Sequence, residues 1–219
     1  MKLKRILSLA LSGVLAVSML TACGGFGGGS GNRVVNVSAA FRTTLNNQLD
    51  DLEQATVNFD GKSSKLARAT RAVAEVVTVD DLKNVDGNMS GAIVQPNTEL
   101  QTVMSRNVGD YDHWTDNFGE YNPASTDYDR DATFVTAILF DGGMNVDGVA
   151  RAVANYVKAW DLEALNKAEK PAYTFKYHAE AFQVTIPGET SGEGEDAKTE
   201  PDTTVWVVGL MLEQTKVQA

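Results

Sequence analysis

Apolar residues recur at helical spacing past the N-terminal segment. Val37, Phe41, Leu45, Leu49 and Leu52 stand four or three apart, which predicts one face of a helix from about 38 to 57. Asn and Gln fill much of the opposite face, and a break follows at 58–61. Ser64 is a good N-cap, and Leu66, Ala69, Val73 and Val76 predict the stripe of a second helix. Residues 87–91 read as a loop. Ala92, Ile93 and Val94 predict a short strand ended by Pro96, and Asn97 is placed to cap a third short helix through Leu100, Val103 and Met104. No period lasts through 107–131, where Gly, Asp, Asn and Pro mix with aromatics.

The second half of the chain reads differently. Ala132 to Phe140 is apolar at both parities, interrupted only by Thr133 and Thr136, as in a strand buried on both faces. Asp141-Gly142-Gly143 turns the chain, and Asn145 caps a helix with the stripe Val146, Val149, Val153, Tyr156, Val157 and Trp160. Tyr173, Phe175, Tyr177, Ala179 and Ala181 then alternate with Thr174, Lys176, His178 and Glu180, after which the apolar phase moves to Phe182, Val184 and Ile186. That one-residue slip predicts a β-bulge near Ala181. Residues 187–202 form a polar loop with six acidic residues. Thr204 to Leu212 is apolar on both faces and predicts a central strand, antiparallel to the strand before the loop. The fold class is α+β: helices packed on a small, mainly antiparallel sheet with a C-terminal long β-hairpin.

The N-terminus carries a message of another kind. Lys2, Lys4 and Arg5 precede the mostly apolar stretch Ile6 to Leu20, 15 residues long. A permanent transmembrane helix needs about 20 residues, whereas this length suits the h-region of a secretory signal. The stretch ends in Leu20-Thr21-Ala22-Cys23, which resembles the bacterial lipobox. The resemblance implies a bacterial lipoprotein: Cys23 receives a diacylglycerol, cleavage before it makes it the first residue, and acyl chains such as palmitate hold the protein on the outer face of a membrane. An ordinary signal peptide with a chance cysteine is the other reading. Two acyl chains give stable anchoring where one is marginal. Gly24 to Asn32 is a Gly/Ser-rich flexible tether. The resulting division is a signal peptide at 1–22, lipidated Cys and tether at 23–34, and a single extracytoplasmic α+β domain at 35–219.

Composition narrows the possibilities. The 219 residues are 43% hydrophobic and 22% charged, a globular balance. One cysteine excludes an internal disulfide framework and a Cys-based zinc site, and two histidines leave little for a His-rich metal centre. No metal or cofactor is expected. The net charge is -10; without the three basic residues of 1–22 it is -13, from 16 Lys+Arg against 29 Asp+Glu. That balance argues against a nucleic-acid partner and disfavours close approach to anionic lipid.

Few residues look chemical. Asp110 to Asn122 concentrates carboxylates, aromatics and one histidine, with Asp112, His113, Trp114, Asp116, Glu120 and Tyr121 as candidate ligand-binding residues. Such loops bind sugars or peptides by stacking a ring on an apolar face while carboxylates take hydroxyl donors. The same aromatics could equally anchor a long loop on the core. Asp127, Asp129 and Asp131 stand two apart as in calcium loops, but Ala132 replaces the turn glycine and Ile138 the bidentate glutamate. His178, between Lys176 and Glu180, predicts an exposed cross-strand hydrogen bond. A catalytic pair of His178 with His113 would require the fold to bring them together. There is no phosphate loop, serine-hydrolase elbow or His-Glu-x-x-His in the sequence.

Several segments resemble the CAP superfamily (cysteine-rich secretory, antigen 5 and pathogenesis-related proteins). They are Leu45-Asn46, Phe59-Asp60, the run from Lys65-Leu66 through Ala69 and Arg71-Ala72 to Glu75, Phe140 to Gly143 with the helix to Trp160, and Val205 to Val208. The resemblance spans most of 38–212 and implies an α-β-α sandwich. The family's paired cavity histidines and partner glutamates are not recognisable, and Gly119-Glu120-Tyr121-Asn122 only echoes its Gly-Glu-Asn. The sequence therefore predicts a lipid-anchored, non-catalytic domain that binds an envelope or extracellular ligand or partner. The alternative is a cell-envelope polymer hydrolase using Asp112, Asp116 or Glu120 as acid and base.

Overall fold

A computed structural model describes residues 31–51, 57–83, 85, 91–94, 98–109, 113–114, 131–158, 173–191 and 198–217. In chain order they form β1 (Arg33–Asn36), α1 (Ser38–Asp51), α2 (Ser64–Val76), β2 (Ala92–Ile93), α3 (Glu99–Val108), β3 (His113–Trp114), β4 (Ala132–Asp141), α4 (Val146–Lys158), β5 (Tyr173–Ile186), β6 (Thr190–Ser191), β7 (Lys198–Thr199) and β8 (Thr203–Lys216). Residues 31–219 make one compact unit. The lipobox, Cys23 and the glycine tract lie outside the described residues.

β5 and β8, 14 residues each, pair antiparallel along their whole length as the long hairpin and occupy the centre of the sheet. The strand order is β1-β5-β8-β4-β2, all antiparallel, with β3 added in parallel to β4. One face buries Phe41, Leu45 and Leu49 of α1 and Val149, Val153 and Val157 of α4 against Phe134, Ile138, Trp206 and Leu210. The other buries Leu66, Ala69 and Val73 of α2 and Leu100 and Met104 of α3 against Val135, Leu139, Val205 and Val207. The chain is thus an α+β domain with helices on both faces of the sheet. This layering explains why β4 and β8 are apolar at both parities: each is covered twice.

The predicted bulge near Ala181 does not form. The register runs unbroken from Tyr173↔Lys216 through Ala181↔Val208 to Ile186↔Thr203. The hydrophobic phase slips because the cover changes sides. Tyr177, Ala179 and Ala181 pack under α1 and α4, whereas Phe182, Val184 and Ile186 pack under α2 and α3. A regular strand reads as a bulged one when successive halves are buried on opposite faces.

The caps of α2 and α3 differ from the sequence reading by one residue, and that of α4 agrees with it. Ser63, not Ser64, caps α2 by accepting the Leu66 N–H at 3.2 Å. Thr98, not Asn97, caps α3 through the Gln101 N–H. Asn145 caps α4 by accepting from Gly148 N–H at 2.8 Å. Val76, assigned to the buried stripe, is 42% exposed, and Val77 takes the inward place. β1 was not foreseen and takes in Arg33 and Val34, which the sequence reading gives to the tether. Asn32 joins the fold as well: its side-chain amide donates to the carbonyls of Ala74 and Val77 at the end of α2. Beyond β5 the hairpin continues as the small β6–β7 ribbon inside the segment read as a polar loop. Gly209 of β8 lies directly under α2; a Cβ there would run into the Thr70 hydroxyl.

Candidate functional site

Two polar regions of the sheet are available for comparison. The first is the outer edge of β5 where β1 ends. An unpaired strand edge exposes backbone donors and acceptors that need partners. Between His178 and Ala181 several of these are taken up by the chain that follows β1. Val37 N–H donates to Ala181 O at 3.0 Å, and the buried Ser38 hydroxyl donates to Ala181 O while accepting from Ala181 N–H. Arg42 Nη1 donates to Ala179 O at 3.0 Å and to Glu180 Oε1 at 2.9 Å. The Arg42 and Glu180 side chains are only 13% and 7% exposed, so this is a buried ion pair. Further along, Gly61 forms a parallel bridge to His178.

Asn46 of α1 holds the 58–60 segment in place. Its Oδ1 accepts the Phe59 N–H at 2.9 Å, and its Nδ2 donates to Asn58 Oδ1 and Asp60 Oδ1. Phe59 is thereby inserted into the core against Tyr177, with ring centroids 5.6 Å apart. The residues at this edge close the fold: Ser38, Arg42, Phe59 and Glu180 are withdrawn from solvent, while Asn58 and Asp60 stay exposed with their side chains bound to Asn46.

His178 links this edge to the second region. Its Nε2 donates to Glu213 Oε2 at 2.9 Å across β5 and β8. The cross-strand hydrogen bond matches the sequence reading, but the residue is 7% exposed rather than open to solvent. The cause is Gly61, which packs so closely on the imidazole that a Cβ there would collide with the ring and with Tyr177 O. Nδ1 is buried against it and has no hydrogen-bond partner among the described residues. A general base needs a ring nitrogen within reach of a substrate proton. Neither nitrogen of His178 offers that: one is bound to Glu213 and the other is covered.

The second region lies at the end of the sheet where β4 and β5 begin and β8 ends. Asp131, Thr133, Lys176, Glu213 and Thr215 line an open polar depression of about 340 Å³ together with Ala132 and Gln214. The Glu213 side chain is 42% exposed, and its carboxylate is fixed from behind by His178. Asp131 accepts the Lys216 N–H at 2.7 Å, which ties the start of β4 to the end of β8. The rim thus offers carboxylate acceptors, an ammonium and two hydroxyls. Among the described residues no group of three His, Cys, Asp or Glu could hold a metal ion.

Of the sequence-predicted site residues, Asp112, Asp116, Glu120 and Tyr121 lie outside the described residues, as does Cys23. His113 and Trp114 form β3, aligned with Phe134 and Val135 of β4. The segment is therefore attached at the β4 edge, one residue along from Thr133 on the rim of the depression. His113 and His178 are not brought together. β4 and β8 lie between their strands, so the two backbones are about 14 Å apart at three strand spacings.

Glu213 and Thr215 escaped the sequence reading because nothing in a strand's alternation marks which polar residues line a depression, and Asp131 entered it only as the last of three acids spaced as in a calcium loop. Arg42 escaped it because it sits on an otherwise ordinary polar helix face. No protein-family model, curated protein or solved structure matches the chain. The CAP resemblance rests on residue order alone.

Proposed function

We propose that this is a bacterial lipoprotein, anchored by a diacylglycerol on Cys23 to the outer face of a membrane, whose folded domain binds an envelope or extracellular ligand without transforming it. The anchor reading is supported by the basic, apolar and small-residue order of 1–22, by Cys23 being the one cysteine, and by the glycine tract after it. The observation that carries the binding reading is the attachment of β3 beside the polar depression. The aromatic and acidic segment that begins at Asp110 joins the sheet next to Thr133, where Lys176 and Glu213 already present charged groups to solvent. A ligand held there would meet ammonium, carboxylate and hydroxyl groups from three strands, with Asp112, His113, Trp114, Asp116, Glu120 and Tyr121 as candidate contacts from the adjoining segment.

The test of the anchor is fractionation and mass spectrometry of the full chain expressed in a bacterium. The wild type is expected in the membrane fraction with a lipid mass on Cys23. Cys23→Ala is expected to be released or left unprocessed, and normal processing with unchanged membrane retention would overturn the reading.

A further inference from the structure

Among the described helices of this acidic chain, α2 carries the largest excess of basic residues. α2 exposes Lys65, Arg68 and Arg71, with Lys62 just before it, and meets no acid until Glu75. Lys62 and Lys65 have no ion-pair partner among the described residues. The acids at the far end of the helix are already engaged: Glu75 with Arg71 at 2.8 Å, Asp80 with Lys83 at 3.1 Å, and Asp81 with the Thr78 hydroxyl. Aliphatic side chains stand open at the same end, Val76 at 42% and Val79 at 51% exposure. The chain also enters the domain here, because Asn32 is hydrogen-bonded to Ala74 O and Val77 O. Asn32 is the ninth residue after Cys23, a reach of at most about 30 Å.

We propose that the outer face of α2 docks on the anionic headgroups of the bilayer that holds the chain. This inference rests on the anchor reading. Lys62, Lys65 and Arg68 supply the attraction, and Val76 and Val79 supply apolar contact at the level of the headgroups. The attraction is local: at ordinary salt the Debye length is about 10 Å, so the acids on the opposite layer of the sandwich are screened from the lipid. The domain would then lie with its α2–α3 layer toward the membrane and its α1–α4 layer away from it.

The test uses the full chain in vesicles, with single cysteines introduced for a fluorescent label at Thr102→Cys, exposed on α3, or Asn155→Cys, exposed on α4. Vesicles contain phosphatidylcholine alone or with phosphatidylglycerol, and a headgroup-borne quencher reports proximity. In the anionic vesicles the label at 102 is expected to be quenched at least three-fold more than that at 155. The difference is expected to vanish in phosphatidylcholine alone and in the Lys62→Glu, Lys65→Glu, Arg68→Glu variant. Equal quenching at both positions, or a difference indifferent to lipid charge, would overturn the proposal.

Mass spectrometry of the same samples reports the anchor separately. If Cys23 carries no lipid, co-sedimentation of the full chain with the anionic vesicles decides instead. Each basic group near the surface is worth about five-fold in partitioning. The triple variant should therefore bind at least about ten-fold more weakly, and equal binding would overturn the docking surface by itself. Retained circular dichroism melting in the variant excludes unfolding as the cause.

Discussion

The closed edge of β5 and the open end of the sheet are built from the same kinds of side chain and use them in opposite ways. At the closed edge a serine, an arginine, a glutamate and an asparagine each satisfy a backbone group or a buried charge, and little polar surface is left over. At the open end a lysine, two acids and two threonines line a depression, with Glu213 tied to His178 and Asp131 to the Lys216 N–H. A polar residue in a strand therefore says little about function until its partners are known. The charged residue that is used up holds the fold, and the one held from behind with its face free is the one available to a ligand.

The largest effect should come from breaking the buried ion pair. Arg42→Ala leaves Glu180 charged, buried and unpaired, and should cost about 3–5 kcal/mol, read as a fall in chemical denaturation midpoint. The double change Arg42→Met with Glu180→Leu should recover most of that loss, because an apolar pair of similar volume carries no desolvation cost. If Arg42→Ala alone melts like the wild type, the closed edge is not what holds β5.

Gly61→Ala should have the next largest effect, about 1–3 kcal/mol, because the new Cβ must displace the His178 ring or the Tyr177 carbonyl. The loss should be accompanied by a changed His178 environment, visible as a shift of its imidazole resonances. Unchanged stability and unchanged resonances together would contradict the close packing.

At the open end, Lys176→Ala and Thr215→Ala should move stability by no more than about 0.5 kcal/mol, as exposed side chains without buried partners do. Their effect should fall on ligand binding. A large loss of stability from either would mean that the depression is a structural feature of the same kind as the closed edge.

Much of the architecture is legible in the sequence, and the parts that are not have identifiable causes. The helical stripes, the doubly apolar strands and the C-terminal hairpin follow from periodicity, because burial on one face or two leaves that signature directly. The bulge misreads because a phase change has two physical sources, an inserted residue or a change of covering layer, and Phe182, Val184 and Ile186 owe theirs to α2 and α3. β1 is hidden because a four-residue edge strand next to a glycine tract has too few positions for a period. The candidate site is only partly legible. The unusual composition around His113 and Trp114 is visible, and so is His178, but their separation by two strands and the burial of His178 under Gly61 depend on sheet order.

The most direct test of the division between the two regions is a paired measurement on the full chain. Melting temperature and retention on purified bacterial cell-wall polymer are recorded together for Lys176→Ala, for Trp114→Ala with Tyr121→Ala, and for Asn46→Ala. The division predicts that the first two lose at least ten-fold in retention, as loss of a central contact does at about 1.4 kcal/mol per decade, while melting within about 2 °C of the wild type. Asn46→Ala should melt lower and, while folded, be retained as well as the wild type. Open-end variants that unfold, or that are retained like the wild type, would contradict the assignment of binding to that end of the sheet.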